Sequence, residues 1–430
     1  MPTALLAAIG ALLWIALIWR SAASSLSVTR LVFMVFVVGL ACRLVLLFAT
    51  PTFYAPDEQS HFNYIKYLYE QRQFPVQTSQ TNAPTNDWEY YQPPLYYLLE
   101  APAYAVARTA FSDNTERIVW ALRLPSVMLW GCNVALLWAI MRRLQIKNEF
   151  VIACAASLVC LLPAYTAISS VINNDNLVVT LGGALLYLMT SEVNWRRALL
   201  IGVLLGAALL TKLSAVVYVV ALVVLLFAFV LKKQLTIAQA IGRLALVGMV
   251  AALLFTPWAL RNWYVYGDFT AEKVANVPKH WQSTAEAIRF SHWYLLASFW
   301  AIAGQQNNIV FLPKLSYLLS YVPLVGLLFS WARGMWRHVL HAPRGPFMAV
   351  CAAGVAANLV LVVRFGLLYA QGQGRLLFPM LIPLALFFAL GLLGMGIERL
   401  RHAHVHVAGF FVTYALAFTG YCLAYFAHVQ

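Results

Sequence analysis

The sequence predicts an all-α protein, a polytopic transmembrane bundle of about 12 helices with interfacial helices in two outer segments. Three observations predict it. The chain of 430 residues is 62% hydrophobic and only 10% charged, whereas a soluble domain carries roughly 25% charged residues. Its apolar residues form continuous runs, not the alternation of barrel strands, and a spanning helix satisfies its own backbone polar groups where there is no water. The remaining charges gather in short clusters between the runs.

The runs predict helices near 4–19, 31–49, 118–141, 150–167, 176–191, 198–211, 213–231, 244–260, 315–331, 347–369, 376–396 and 407–427. The first is read as an uncleaved helix, because Met1–Thr3 lacks the positive charge of a signal peptide and Arg20 follows the run. Both ends of 198–231 are basic, so two crossings fit that stretch better than one. The six cysteines all lie inside apolar runs without metal-ligand spacing and read as small buried hydrophobes. A formal charge of +14 spread in loop clusters argues for membrane orientation and against nucleic acid.

One alternate set of loops holds Arg20 and Arg30; Arg142, Arg143 and Lys147; Arg196 and Arg197; Lys232, Lys233 and Arg243; Arg333, Arg337 and Arg344; Arg399 and Arg401. These loops should be cytoplasmic. The opposite loops hold most acids, including Asp57, Glu58, Asp87, Glu89, Asp175, Asp268 and Glu272, so both termini should lie outside. The long connections 50–117 and 261–314 then fall on the outer face of one domain spanning 1–430. Phe62, Ile65 and Tyr69 recur at helical spacing in the first, as in helices that lie in the membrane interface. No internal repeat is evident, which weighs against a repeat-built transporter.

Candidate chemistry gathers in the outer loops. In Pro56-Asp57-Glu58-Gln59-Ser60-His61-Phe62, Pro56 suits the first helical position, and Asp57 and His61 then share a helix face. Acids in a first turn also stabilise a helix dipole, but adjacent carboxylates at a membrane face suit a base or metal ligands. Tyr90-Tyr91-Gln92-Pro93-Pro94 forces a turn before the next helix and suits a rigid wall for that site. Asn173-Asn174-Asp175 reads as an N-cap or as a second acid on the same face. Arg43, Lys212, Arg261, Arg364 and Arg375 lie near the outer boundary, where a cation either snorkels to headgroups or grips a phosphate. Arg375 stands out, because the glycines of Gln371-Gly372-Gln373-Gly374 let backbone approach a ligand closely. His402, His404 and His406 read as a solvated surface more readily than as a metal site.

Taken together, these motifs resemble the GT-C superfamily of membrane glycosyltransferases, which take a sugar from a polyprenyl-phosphate carrier. The resemblance rests on Asp57-Glu58 with His61-Phe62, Gln92-Pro93-Pro94-Leu95-Tyr96-Tyr97, Asn173-Asn174-Asp175, Thr211-Lys212, Arg261-Asn262 with Tyr266-Gly267-Asp268, and Gly374-Arg375 with Pro379, across roughly residues 30–390. The Asp57-Glu58-x-x-His61-Phe62 form is most similar to a bacterial branch related to protein mannosyltransferases and aminoarabinose transferases. The chain departs from larger members in an extra N-terminal helix and in ending without a soluble C-terminal domain, which argues against a polypeptide acceptor bound by such a domain.

The resemblance implies Asp57 as general base, with Glu58 and Asp175 in the catalytic set. It implies His61, Tyr91, Gln92, Lys212, Arg261 and Arg375 as substrate-binding residues. The implied reaction moves a sugar with inversion from the carrier to an acceptor hydroxyl on a glycan, glycolipid or protein. It would take place at the outer face of a bacterial cytoplasmic membrane. No metal requirement is expected, although Asp175 is where metal-using relatives hold a divalent cation. A flippase for a lipid-linked sugar, or a polysaccharide polymerase or ligase, is the alternative reading. The flippase expects polar residues near the bilayer midplane.

Overall fold

A computed structural model describes residues 2–22, 26–78, 87–275, 279–305, 308–332 and 345–429. The basic cluster Arg333, Arg337 and Arg344 lies outside the described residues. Each of the twelve predicted spans coincides with helix. In chain order they are α1 (Pro2–Ala22), α2 (Val28–Ala49), α5 (Thr115–Arg143), the pair α6 (Glu149–Leu161) and α7 (Pro163–Ile168), α8 (Asp175–Leu188) and α9 (Trp195–Leu209). They continue with α10 (Val217–Leu231), α11 (Ile237–Tyr266), α14 (Pro313–Ala332), α15 (Gly345–Tyr369), α16 (Leu381–Gly394) and α17 (Ala403–Val429). Eight helical stretches among the described residues are long and apolar enough to cross a bilayer. The protein is a multi-pass membrane protein.

Two spans break where the backbone cannot continue. The run 150–167 is two helices, because Pro163 opens α7 and has no N–H for the ladder of α6. The run 198–231 is two crossings, as its basic ends suggested: Lys212 is extended at φ −160° between α9 and a 3-10 turn, Leu213–Val216, that leads into α10. Every residue from Phe150 to Leu161 of α6 is buried, which places this all-round apolar helix at the centre. Packed against it are α2, α16 and α17. Peripheral helices turn apolar side chains outward, such as Leu12 and Ile15 of α1 and Met249 and Leu253 of α11, as lipid contact requires.

Small residues set the spacing between α1 and α17. A Cβ on Gly10 of α1 would lie 2.7 Å from Thr413 Cα, and one on Gly409 of α17 would lie 2.2 Å from Trp14. Close backbone approach of this kind substitutes for the hydrophobic drive that lipid removes.

The first long connection, predicted to lie outside, folds into α3 (Glu58–Gln71) and α4 (Leu95–Phe111). The second holds α12 (Glu272–Ala275), α13 (Thr284–Trp300) and a small antiparallel pair, β1 (Ile302–Ala303) with β2 (Ile309–Val310). Helix α3 differs from the expectation of an interfacial helix with its apolar face in lipid. Phe62, Tyr64, Ile65 and Leu68 are buried against Tyr97, Tyr104 and Leu122 of α4 and α5. The amphipathic stripe is satisfied by protein, and Leu98, Leu99 and Val106 of α4 are the exposed apolar residues there.

Replacing Gly409 with Leu should wedge α1 away from α17 at a cost of about 1–3 kcal/mol. The melting temperature in detergent should fall, and a cysteine cross-link between the two helices should form more slowly.

Candidate active site

The loop after α2 carries Asp57 at the N-cap of α3 in the left-handed region, φ 60° and ψ 2°. Asp tolerates this conformation better than most residues. Pro56 therefore stands two residues ahead of the helix and not at its first position. The turned backbone aims the Asp57 carboxylate away from the helix, where it makes no capping hydrogen bond. Arg375 Nη2 instead donates to Asp57 Oδ2 at 2.5 Å. Burial pushes this carboxyl up, but Arg375, then His61 and Lys212, pull harder the other way and hold it below the ordinary carboxylate range.

Glu58, one residue on, points the opposite way. Arg123 of α5 donates from Nε and Nη2 to its two oxygens at 2.7 Å each, and both side chains are fully buried. Glu58 Oε1 also accepts the backbone N–H of Ile172 at 3.2 Å. Arg123 reaches on to the carbonyls of Leu47 and Thr50 at 2.6 and 2.9 Å, so it fastens the end of α2 as well. With both oxygens engaged and no exposure, Glu58 positions the loop and does not face a substrate.

His61 is buried one helical turn after Asp57, and its Nδ1 is 2.9 Å from the Tyr97 hydroxyl. Burial pushes its imidazole down to about 3 despite the nearby Asp57, so the ring is neutral at ordinary pH. Asp175 opens α8, with its backbone N–H donating to Asn173 Oδ1 at 2.9 Å. The N-cap position itself is Asn174, which makes no capping hydrogen bond. Asn173, one residue earlier, accepts the first helical N–H instead, and the Asp175 carboxylate pairs with Lys212 Nζ from the α9–α10 break. Asp175 Oδ2 is buried without a partner.

Arg375 rises from a 3-10 turn, Gly374–Met380, that precedes α16. Gly374 comes close to protein, not to a ligand as its sequence suggested. A Cβ there would lie 2.2 Å from Phe299 N, and its N–H donates to Ser298 Oγ of α13 at 2.6 Å. This seat leaves Arg375 Nε and Nη1 buried and unpartnered. Arg375 also closes one end of a mostly apolar cavity bounded by Ala55, Pro56, Ile168, Val171 and Phe426.

Three predicted residues stand apart from this cluster. Arg261 donates to the Pro75 carbonyl and, at 3.1 Å, to Asn262 Oδ1, with its guanidinium 4.8 Å from the Trp258 ring centre. It fastens the first long connection to α11. Gln92 Nε2 donates to the Tyr91 hydroxyl at 3.0 Å, and the Tyr91 N–H donates to Gln77 Oε1 at 3.3 Å; this pair shapes the wall ahead of Pro93. Of the other boundary cations, Arg43 is sealed against Trp130, Ser169 and the Cys160 carbonyl. Arg364 is exposed, 3.8 Å from Glu272. His402 bonds Ser21 Oγ at 2.8 Å, and no group of three or more His, Cys, Asp or Glu among the described residues is placed to hold a metal.

Sequence reasoning passed over Arg123 and counted Glu89 only as an outer-loop acid. Arg123 had a signal, a cation inside the apolar run 118–141, which requires a buried partner. Glu89 is buried ahead of the Gln92-Pro93-Pro94 turn, with Oε2 unpartnered. Burial and then Asp57 push its carboxyl up to about 8, against the pull of Lys212 and Arg375.

Changing Arg123 to Met should leave Glu58 uncompensated and destabilise the protein by about 3–5 kcal/mol. Thermal unfolding in detergent checks this; an unchanged midpoint would show that the pair does not hold the loop.

The sequence profile described as dolichyl-phosphate-mannose-protein mannosyltransferase matches residues 101–260, a stretch that includes Asp175 and Lys212 but not Asp57 or Arg375. No curated protein sequence matches the chain. Among solved structures, ArnT from Cupriavidus metallidurans bound to undecaprenyl phosphate superposes with a TM-score of 0.56 at 13% identity, over 91% of this chain and 77% of that one. The apo state of the same protein gives 0.57 at 13% identity, over 92% and 77%. At that identity the likeness speaks for the fold, and the profile adds sequence kinship across the middle of the bundle. The chain is therefore similar in fold to these membrane glycosyltransferase structures and, over residues 101–260, in sequence to the mannosyltransferase profile.

Proposed function

We propose that this enzyme transfers a sugar from a polyprenyl-phosphate carrier to an acceptor hydroxyl, with inversion, at the outer face of a bacterial cytoplasmic membrane. The observation that carries the reading is the Asp57–Arg375 pair, in which the arginine keeps two buried N–H-bearing nitrogens free. A base and an anion-binding group stand side by side there, as the reaction requires. Support for the carrier comes from the shared fold with a protein solved with undecaprenyl phosphate.

In this reading Arg375 binds the phosphate of the donor through the fork of its guanidinium. The phosphate competes with Asp57 for the same charge. As Arg375 turns to it, Asp57 loses its strongest cation and becomes a better proton acceptor. Asp57 then takes the proton of the acceptor hydroxyl as its oxygen attacks the anomeric carbon from the side opposite the phosphate. The C–O bond to phosphate breaks, and the polyprenyl phosphate leaves as an anion stabilised by Arg375 and Lys212. His61, neutral and fixed by Tyr97, is placed to bond a substrate hydroxyl. Asp175 holds Lys212 in register, Glu58 orients the Asp57 turn, and Arg261, Tyr91 and Gln92 shape the wall. No step uses a metal.

Asp57→Asn should reduce transfer from undecaprenyl-phosphate sugars by about 10²–10⁴-fold with thermal stability retained. Transfer within a few-fold of wild type would remove Asp57 as base. Asp57 ionises below its ordinary range and His61 charges only near pH 3, so neither group changes charge between about pH 5 and 8. The kcat/KM profile for the donor, which reports the free enzyme, should therefore show no acid limb from them there.

Arg375→Ala should raise the KM for the donor by tenfold or more, about 1.4 kcal/mol or greater, while the KM for the acceptor moves less. An unchanged donor KM would take Arg375 out of the phosphate site.

A further inference from the structure

The ion pairs of the site balance without Glu89. Asp57 is matched by Arg375, and Asp175 by Lys212. Glu89 is a fifth charge-bearing group, buried, with Oε2 facing no donor. It senses Asp57 before the two cations, and among charged groups it acts most strongly on the Tyr97 hydroxyl that bonds His61. Geometry agrees: the ring of its neighbour Tyr90 meets Tyr64 at 5.7 Å, and Tyr64 donates to the Gln92 carbonyl at 3.3 Å. Tyr64 also stacks at 3.8 Å on Tyr97, the partner of His61, so the wall segment carrying Glu89 packs against the site. An arriving phosphate adds negative charge, so a second free carboxylate there would oppose donor binding. A protonated one would not. It offers one O–H donor and one acceptor oxygen, which is the complement of a sugar hydroxyl.

We propose that Glu89 is a substrate-positioning group that works as a neutral carboxylic acid, with its Oε2–H donating to a ring hydroxyl of the transferred sugar. The proposal rests on the donor reading above. The groups that set its proton are Asp57 at the start of α3, Tyr97 on α4 and the Gln92 side chain, which hydrogen-bonds it and favours the ionised form. Lys212 and Arg375 face it from the α9–α10 and α15–α16 connections, and Asp175 stands behind Lys212. The two cations favour ionisation, while burial and Asp57 oppose it and prevail, leaving the proton in place up to about pH 8. Above that pH the carboxylate forms, and donor binding should weaken. The other buried acid of the first long connection, Glu100 on α4, is also pushed up to about 8 by burial. Tyr96 is the side chain that acts on it, and none of Asp57, Lys212 and Arg375 does, so it serves as the control.

The test compares wild type, Glu89→Gln, Glu89→Ala and Glu100→Gln, using undecaprenyl-phosphate glucose, mannose and galactose as donors from pH 6 to 9.5. Glu89→Gln, which keeps a neutral donor, should hold donor KM within about threefold, and Glu89→Ala should raise it about tenfold or more. The alkaline loss of wild type should vanish in Glu89→Gln and persist in Glu100→Gln. Infrared difference spectra of wild type against Glu89→Gln should show a carboxylic-acid C=O stretch at pH 7 that shifts when donor is added. Equal damage from Gln and Ala, an Ala variant that behaves as wild type, or no such stretch at pH 7 would each overturn the assignment. Wild-type inactivity with all three sugars would overturn the donor reading instead. The infrared measurement needs no turnover and then decides Glu89 by itself.

Discussion

Charges withdrawn from water must be paired, and that requirement organises the half of this protein built around the long connections 50–117 and 261–314. The fully buried Glu58–Arg123 pair is its strongest expression. Isolating either ion would be far more costly than the pair itself, so the loop after α2 has one acceptable position against α5. Arg123 extends the constraint to the carbonyls of Leu47 and Thr50, groups at the end of α2 that have no partner within the helix. Once that corner is fixed, Asp57 can hold an uncommon left-handed backbone, because its neighbours on both sides are immobilised.

The remaining pairs depend on that corner. Asp57 meets Arg375, which Ser298 and Gly374 seat against α13. Asp175 meets Lys212 at a break between two crossings. Residues separated by more than 300 positions thus share one chamber because the helices between them deliver their connections to the same side. The predicted alternation of basic and acidic loops is the sequence trace of that arrangement.

Much of the fold was legible because span length and loop charge are properties of composition, which one sequence displays. The twelve runs, the two crossings of 198–231 and the placing of Asp57, Asp175, Lys212 and Arg375 at one membrane face follow from such signals, while their joining with His61 in one site came from the family resemblance. Direction was not legible. Asp57 and Glu58 are adjacent and chemically alike, yet one opens to the chamber and the other is locked to Arg123; a single backbone angle separates them. The stripe of α3 read as membrane-facing because periodicity reports an apolar face without saying whether lipid or protein covers it. The glycines before Arg375 signalled close approach, but only the fold tells that the approach is to Phe299. Glu89 carried no pattern at all: its meaning comes from burial beside Asp57, a long-range outcome.

The Asp57–Arg375 contact has a consequence for kinetic order. In the proposed mechanism Asp57, with the chamber vacant, is quenched as a base by the Arg375 guanidinium. An alcohol or water that arrives first meets a carboxylate too weakly basic to deprotonate it. On that reading only a phosphate that draws the arginine away releases the basicity, and substrates would enter in a compulsory sequence, carrier lipid before acceptor. Futile hydrolysis is discouraged for the same reason, since the reagent that arms the site is the one that must be consumed.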